Sequence, residues 1–361
     1  MNEAPLSSRA LYAARPVVRV NNREIDRVNG LLQAMDLKEQ EDGMSALELR
    51  FSNIASLESA GVDFAFEDET VLKLGDQLTV YAGDEQAPTE IFRGAVSAFE
   101  AEFSENGPPV LTALAEDTLQ KARMMRRTKT WEDTTLAAIV REIADNLGLT
   151  AQVTGLDQDI GVQVQMNESD LAFLRRLLER NDGDVQVVGD ELHAAPRAEV
   201  RRGTATLTMH SQLRRVAVLA DLAHQVSEIT VTGWDAQQGR EIIGRSSGHH
   251  RGPGQGRTGK DLLEETFGTR SHQISHLLTA TAAEADALAE AAFDERQRRF
   301  ATVTGTAEGN PMIRVGTHVT LAGLGPRFSN TYYVTQCRHR FDTTRGYETD
   351  FSGECAFLGN P

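Results

Sequence analysis

The chain has 361 residues, 40% of them hydrophobic and 25% charged, which is enough to bury more than one core, so two or three domains are expected on size. Its 53 acidic side chains against 37 basic ones leave a net charge of −16, a balance that repels phosphate backbones and argues against general nucleic-acid binding. No run of about eighteen apolar residues occurs, and Met1 to Pro16 has no signal-peptide centre. Synthesis in the cytoplasm and no membrane insertion by the chain itself are therefore expected.

The first segment, residues 1–114, reads as β. Val17 to Val20 is a short apolar strand, Leu31 to Lys38 and Ala46 to Ser52 alternate in part, and Gln77 to Tyr81 and Glu90 to Val96 follow glycine turns at Gly75 and Gly83. The last two are expected to flank an eight-residue polar loop containing Pro88, as in a barrel or sandwich.

The period changes over residues 115–202. Leu136, Ile139, Val140, Ile143, Ala144 and Leu147 recur at three and four residues, with Asp133 as the expected cap and Gly148 as the stop. A second helix is expected from Glu168 to Arg180, capped by Asn167 or Ser169, with Leu171, Phe173, Leu174, Leu177 and Leu178 as its apolar stripe. The turn Asn181 to Asp184 then leads into a hairpin of Val185–Val188 and Glu191–Ala194 around Gly189-Asp190.

Strands return at Thr204 to Met209, Arg214 to Leu219 and Val226 to Trp234. Ser246 to Lys260, rich in glycine with little to bury, is expected to be an exposed, mobile loop, and Thr281 to Arg299 a long helix. From Phe300 short runs at Val319–Leu321, Tyr332–Gln336 and Glu348–Phe351, broken by Asn310-Pro311 and Gly325-Pro326, predict a closing β unit. Residues 203–240 and 300–361 thus form a second β domain split by a loop-and-helix insertion at 241–299. Gly75 to Val80 and Gly316 to Leu321 share a Gly-x-x-[Val/Leu]-x-[Val/Leu] pattern, a faint sign that the two β domains are alike.

Chemistry candidates are sparse. Gly254 to Lys260 fits the Gly-x4-Gly-Lys part of a phosphate loop, but Asp261 stands where a magnesium-binding hydroxyl belongs. His249-His250 and the pair His272 and His276 lack the glutamate of a metalloprotease helix. The run Arg123 to Lys129 is the most basic patch, suited to an acidic partner or to a solvated connector. Glu264-Glu265 and Asp68-Glu69 sit in polar surroundings that would not raise a carboxyl pKa. Cys337 and Cys355 read as reduced, packed thiols. No catalytic, cofactor-binding or metal residue is assigned.

Three blocks carry a family resemblance. They are Asn167-Glu168-Ser169-Asp170-Leu171-Ala172-Phe173-Leu174-Arg175-Arg176-Leu177-Leu178-Glu179-Arg180; then Ile229-Thr230-Val231-Thr232-Gly233-Trp234-Asp235; and the ordered terminal elements Gly309-Asn310-Pro311, Val315-Gly316, Leu321 to Gly325, Tyr332-Tyr333-Val334 and Gly346-Tyr347. In order and spacing they resemble the tail-hub family of contractile injection machines that includes phage late control protein D and the N-terminal part of VgrG. The resemblance implies a mainly β fold with α+β connectors: two tube-like antiparallel β-barrel domains, connecting α/β segments and a helical insertion. It also implies a homotrimer whose duplicated barrels give pseudo-sixfold symmetry, meeting a sixfold inner tube or tube-initiator protein on one side and a threefold spike on the other, with baseplate wedge proteins around it. VgrG-type chains continue into an oligosaccharide/oligonucleotide-binding barrel and a repetitive β-helix, of which there is no trace here, so the spike is expected to be a separate chain. The expected role is a structural hub without catalysis or cofactor. The competing expectations are a cell-wall-degrading enzyme of the baseplate and a nucleotide-dependent assembly factor.

Overall fold

A computed structural model describes residues 12–41, 43–54, 64–84, 87–235, 238–275, 279 and 281–359. The fold is mainly β, with 49% of residues in strands against 21% in helices. Twelve strands form two sets of six. The first set is β1 (Tyr12–Val20), β2 (Leu32–Gln40), β3 (Ala46–Ser52), β4 (Gln77–Asp84), β5 (Pro88–Glu102) and β6 (Val110–Glu116). The second is β7 (Gly203–Thr208), β8 (Leu213–Ala220), β9 (Ala301–Glu308), β10 (Thr317–Ala322), β11 (Asn330–Asp342) and β12 (Gly346–Cys355).

The two sets share one connectivity. In space the first runs β1-β4-β5-β6-β3-β2, and the second runs β7-β10-β11-β12-β9-β8. Every neighbouring pair is antiparallel except β7 with β10, which is parallel where β1 with β4 is antiparallel.

Local details repeat as well. Gly75 and Gly316 both adopt φ +86° ahead of β4 and β10, a conformation that suits glycine. The Gly75 N–H donates to the Val96 carbonyl at 2.9 Å and the Gly316 N–H to the Val334 carbonyl at 3.0 Å. Within the same turns, the Lys73 N–H donates to the Asp76 carboxylate at 2.9 Å and the Arg314 N–H to the Thr317 hydroxyl at 3.1 Å. A β-bulge follows at the same place in β5 and β11, between Val96 and Ala98 and between Val334 and Gln336. The bulged hydroxyls behave alike: Ser97 donates to the Leu114 carbonyl and Thr335 to the Ser352 carbonyl, each at 3.3 Å. A second matching pair of bulges lies between Leu32 and Ala34 in β2 and between Leu213 and Arg215 in β8. The faint sequence match is thus one visible piece of a repeated design.

The two sets do not stand apart as separate sheets. The second half of β11, Gln336–Asp342, pairs antiparallel with β2 over Ala34–Gln40, so both belong to one 13-stranded sheet that branches at β11, ends at β7, at β8 and at the short strand Arg23–Glu24, and includes that strand as its thirteenth. Burial explains this joint. Phe341 and Tyr347 of the second set pack into the core of the first, among Met35, Leu37, Leu49 and Phe51, whereas Cys337 and Phe351 belong to the second core with Leu213, Val303, Val319 and Tyr332.

Helices α1 (Leu136–Leu147) and α2 (Asp170–Arg180) build a third core with the strands Gly183–Val188 and Glu191–Pro196. The cap of α1 is Thr135 rather than the expected Asp133: its hydroxyl accepts the Ala138 N–H, and Gly148 at φ +73° ends the helix. The α2 cap is Ser169, one of the two expected residues. A fourth core lies in the insertion, where α3 (Gly259–Phe267) precedes α4 (Ala282–Arg298), whose Ala285, Leu288, Ala289 and Phe293 pack on Ile229, Val231 and Ile242.

Three further expectations of the sequence differ from the fold. The strand expected at Val226–Trp234 does not join the second β set. As Glu228–Asp235 it lies between Arg240–Ser246 and Ser271–Ile274 in a separate three-stranded sheet, because its apolar face is covered by α4. Pro88 lies in β5 opposite Gly83, not in a long loop. The basic run is not a connector: Arg126–Trp131 is a strand paired with Gln163–Ser169, its charges held by Arg127–Asp170 at 2.7 Å and by Lys129–Glu142.

Candidate functional site: the charged face of the shared sheet

Alternation places every second residue of a strand on one face. In β3, β9 and β12, and in β2 and β11 beyond their bulges, the odd-numbered residues fill the cores. The even-numbered ones form a polar surface running from one strand set to the other: Asp36 and Lys38, Glu48 and Arg50, Thr304 and Thr306, Arg338 and Arg340, Glu348 and Asp350. The charges pair across strands. Arg338 Nε donates to Asp36 Oδ1 at 2.7 Å, Arg340 donates to Asp350 at 3.0 Å, and Arg214 reaches Glu348. Thr306 donates to the same Asp350 oxygen at 2.7 Å. A cavity of about 590 Å³ lies on this face, lined by Lys38, Gln40, Arg215, Thr306, Arg338 and Asp350 among others.

Such a face holds neither a nucleophile with an adjacent base nor carboxylates in an apolar setting. Asp36, Glu348 and Asp350 are each matched by an arginine. What it offers is an exposed surface of alternating charge.

Behind it, buried charges fix the connectors against the sheet. Arg197, 5% exposed, reaches Glu41 just beyond β2 and donates to Glu354 of β12 at 2.8 Å, with its guanidinium 3.1 Å from the centre of the Tyr333 ring. Arg298 of α4 lies 3.3 Å from the same Glu354 oxygen and grips Asp182 with two hydrogen bonds of 2.8 and 2.6 Å. Burial pushes the Glu41 carboxyl up to about 7 against the pull of Arg197. In β11 the buried His339 shares a hydrogen bond with Tyr347 Oη, 2.8 Å away, and burial lowers its pKa to about 4. Burial likewise raises the Cys337 thiol far above its usual range, as expected of an inert packed thiol.

The other sequence candidates have structural roles. Asp261 is half of a capping box, accepting the Thr258 N–H while the Thr258 hydroxyl accepts the Asp261 N–H. That explains Asp261 in place of a magnesium-binding hydroxyl. A Cβ on Gly254 would lie 2.6 Å from Cys355 Sγ, and one on Gly256 would meet the Gly359 carbonyl, so these glycines permit close approach.

The stretch 246–260 is accordingly pinned, not loose. The N–H groups of His249 and His250 donate to Asp294 at 3.1 Å each, Gln255 and Asn330 exchange two hydrogen bonds, and Arg257–Thr258 pairs with Phe357–Leu358. His272 lies on a strand, and His276 is outside the described residues. Among the described residues no group of three histidine, cysteine or acidic side chains could hold a metal ion. Asp68 is held low by its hydrogen bonds from Thr70, and Glu265 pairs with Arg257. No helix among the described residues is long and apolar enough to cross a membrane.

This fold is similar to that of solved phage tail and type VI secretion proteins. The 43 kDa tail protein of prophage MuSo2 from Shewanella oneidensis superposes with a TM-score of 0.68 at 13% identity, covering 94% of this chain and 97% of that one. An Escherichia coli type VI secretion component, described as structurally similar to phage T4 tail proteins gp27 and gp5, gives 0.57 at 12% identity, covering 95% of this chain and 79% of that one. The probable baseplate hub protein of Escherichia phage P2 is 36% identical over 118 residues, 31% of this chain and 30% of that protein. The chain belongs to the family described as the Alg8 N-terminal domain, which matches residues 47–343.

Proposed function

We propose that the protein is a structural baseplate hub of a contractile injection apparatus, a homotrimer that adapts a sixfold inner tube, or its initiator, to a threefold spike. The observation that carries this reading is the repeated connectivity. A chain that presents nearly the same six-stranded unit twice, joined edge to edge, supplies two of six equivalent positions, so three copies make a ring that matches both symmetries. In the ring each six-stranded unit becomes part of a tube-like barrel wall, with the charged face of Asp36, Arg338, Arg340 and Asp350 toward the channel. Matched charges keep such a lining wet without a net attraction for cargo of either sign.

In this reading 1–114 and 203–227 with 300–361 are the tube units, 115–202 is the connector, and 228–299, including strand Glu228–Asp235, is the insertion. Connector and insertion face the wedge proteins. Catalysis and cofactors have no part in this role. Sedimentation of the purified chain at micromolar concentration tests it: a trimer is expected, seen as a hollow ring by negative-stain imaging. A species that stays monomeric at every concentration overturns the reading.

A further inference from the structure

A groove lies between the connector and the insertion. Its volume is about 240 Å³, below the roughly 300–1,000 Å³ of pockets that enclose a whole small molecule, and it suits one long side chain. The connector gives it apolar walls: Leu136 at the start of α1, Leu156, Ile160 and Pro196. The insertion gives it one face of α4, where Ala287, Glu290, Ala291 and Asp294 recur at three and four residues. The two alanines leave the space open, and the two carboxylates stand one turn apart beside it.

Charge in the groove is unbalanced. Three carboxylates line it, Asp182, Glu290 and Asp294, and the adjacent Arg298 already divides its guanidinium between Asp182 and Glu354. Asp294 is 1% exposed, and the backbone N–H groups of His249 and His250 donate to it. Burial raises its carboxyl above the usual range in spite of both bonds. The Glu290 side chain is 37% exposed and lies 3.4 Å from His249 Nδ1 and 3.8 Å from His250 Nε2, longer than a charged hydrogen bond of about 2.7–2.9 Å. Apolar walls beside carboxylates select a cation carried on an aliphatic stem.

We propose that this groove receives an arginine side chain from another protein, its methylene stem between the apolar walls and its guanidinium against Glu290 and Asp294. Arginine fits better than lysine because its planar fork of donors serves two carboxylates at once. It is also enriched among the side chains that anchor protein interfaces in pockets. An acidic side chain would be repelled by the lining, and an apolar one would desolvate Glu290 without pairing it. The groove follows from its own geometry, whereas the assignment of the arginine to a neighbouring baseplate chain rests on the hub reading.

Saturation-transfer NMR on the full chain, with Nα-acetyl-L-argininamide as the probe, is the test. Saturation of the side-chain methylenes is expected, with a Kd of about 1 mM, the range open to a single side chain. Nα-acetyl-L-norleucinamide, which has a stem without the charge, should bind at least about fivefold more weakly. Glu290→Gln should weaken the arginine probe by about fivefold or more. Ala291→Leu, which fills the groove, should abolish its binding. Both changes fall on half-buried positions of α4, so both variants should melt with the parent. No saturation by the arginine probe at about 20 mM, or equal binding to the parent and to Ala291→Leu, overturns the groove as a site. Equal binding of the two probes, or no effect of Glu290→Gln, overturns recognition of the cation. None of these results touches the hub reading, which sedimentation decides. A chain that binds the probe in the groove yet stays monomeric at every concentration keeps the site and overturns a baseplate chain as the source of the arginine.

Discussion

Glu41 shows how much a single carboxyl can reveal about this fold. It lies against Arg197, yet burial dominates and lifts its pKa from 4.5 to about 7. The folded state therefore holds a proton that the unfolded state has released between those values. Stability from this group is complete below pH 4.5 and is lost as pH rises through 7. Buried His339, lowered to about 4, acts oppositely: its contribution is complete above 6.5 and is lost as pH falls through 4. The two slopes offset in the parent protein, so a variant is needed to separate them. Glu41→Gln should gain stability relative to the parent as pH rises from 4.5 to 7 in urea titrations, with no further change above about 8. A constant difference would mean that Arg197 keeps Glu41 ionised throughout.

Among the elements, the two equivalent turns offer an internal comparison. Gly75 and Gly316 share φ +86°, but a Cβ on Gly75 would meet nothing within 4 Å, while one on Gly316 would lie 2.8 Å from Arg202 Nη1 and 3.0 Å from Val200 Cγ1. Gly75→Ala should therefore cost only the left-handed backbone, about 1–2 kcal/mol. Gly316→Ala should cost that plus about 1 kcal/mol or more for the displaced neighbours. Thermal and urea unfolding of the two variants would check the ordering; equal losses would show that the connector yields freely at Val200 and Arg202.

For the molecule as a whole, Arg298 connects parts far apart in the chain: it sits on α4 of the insertion and bonds Asp182 of the connector and Glu354 of β12. Removing one member of a buried charged cluster leaves the others uncompensated, so Arg298→Ala should lose about 3–5 kcal/mol by urea unfolding. A loss below about 1 kcal/mol would mean that water enters and solvates the acids left behind. The same cluster ties the segment around Asp182 and Arg197 and helix α4 to β12.

Local features were legible in the sequence where one element carries its own instructions. The stripes of α1 and α2, the Ser169 cap, the extent of α4, the Gly189-Asp190 hairpin and the strand β3 need only near neighbours along the chain. The strand Arg126–Trp131 escaped because its alternation is basic against threonine, which reads as solvated chain until Gln163–Ser169 pairs with it. The charged face escaped for a related reason: Arg338 and Asp36 are 302 residues apart, and a strand's pattern says which side faces a core but not which strand lies beside it. Composition and periodicity thus determined the mainly β class and the places of α1, α2 and α4, while α3 and the shorter helices went unread. Sheet membership, the joint between β2 and β11 and the doubled connectivity were decided only when Phe341 and Tyr347 completed a core built by the other end of the chain, since burial rewards contact without regard to sequence distance.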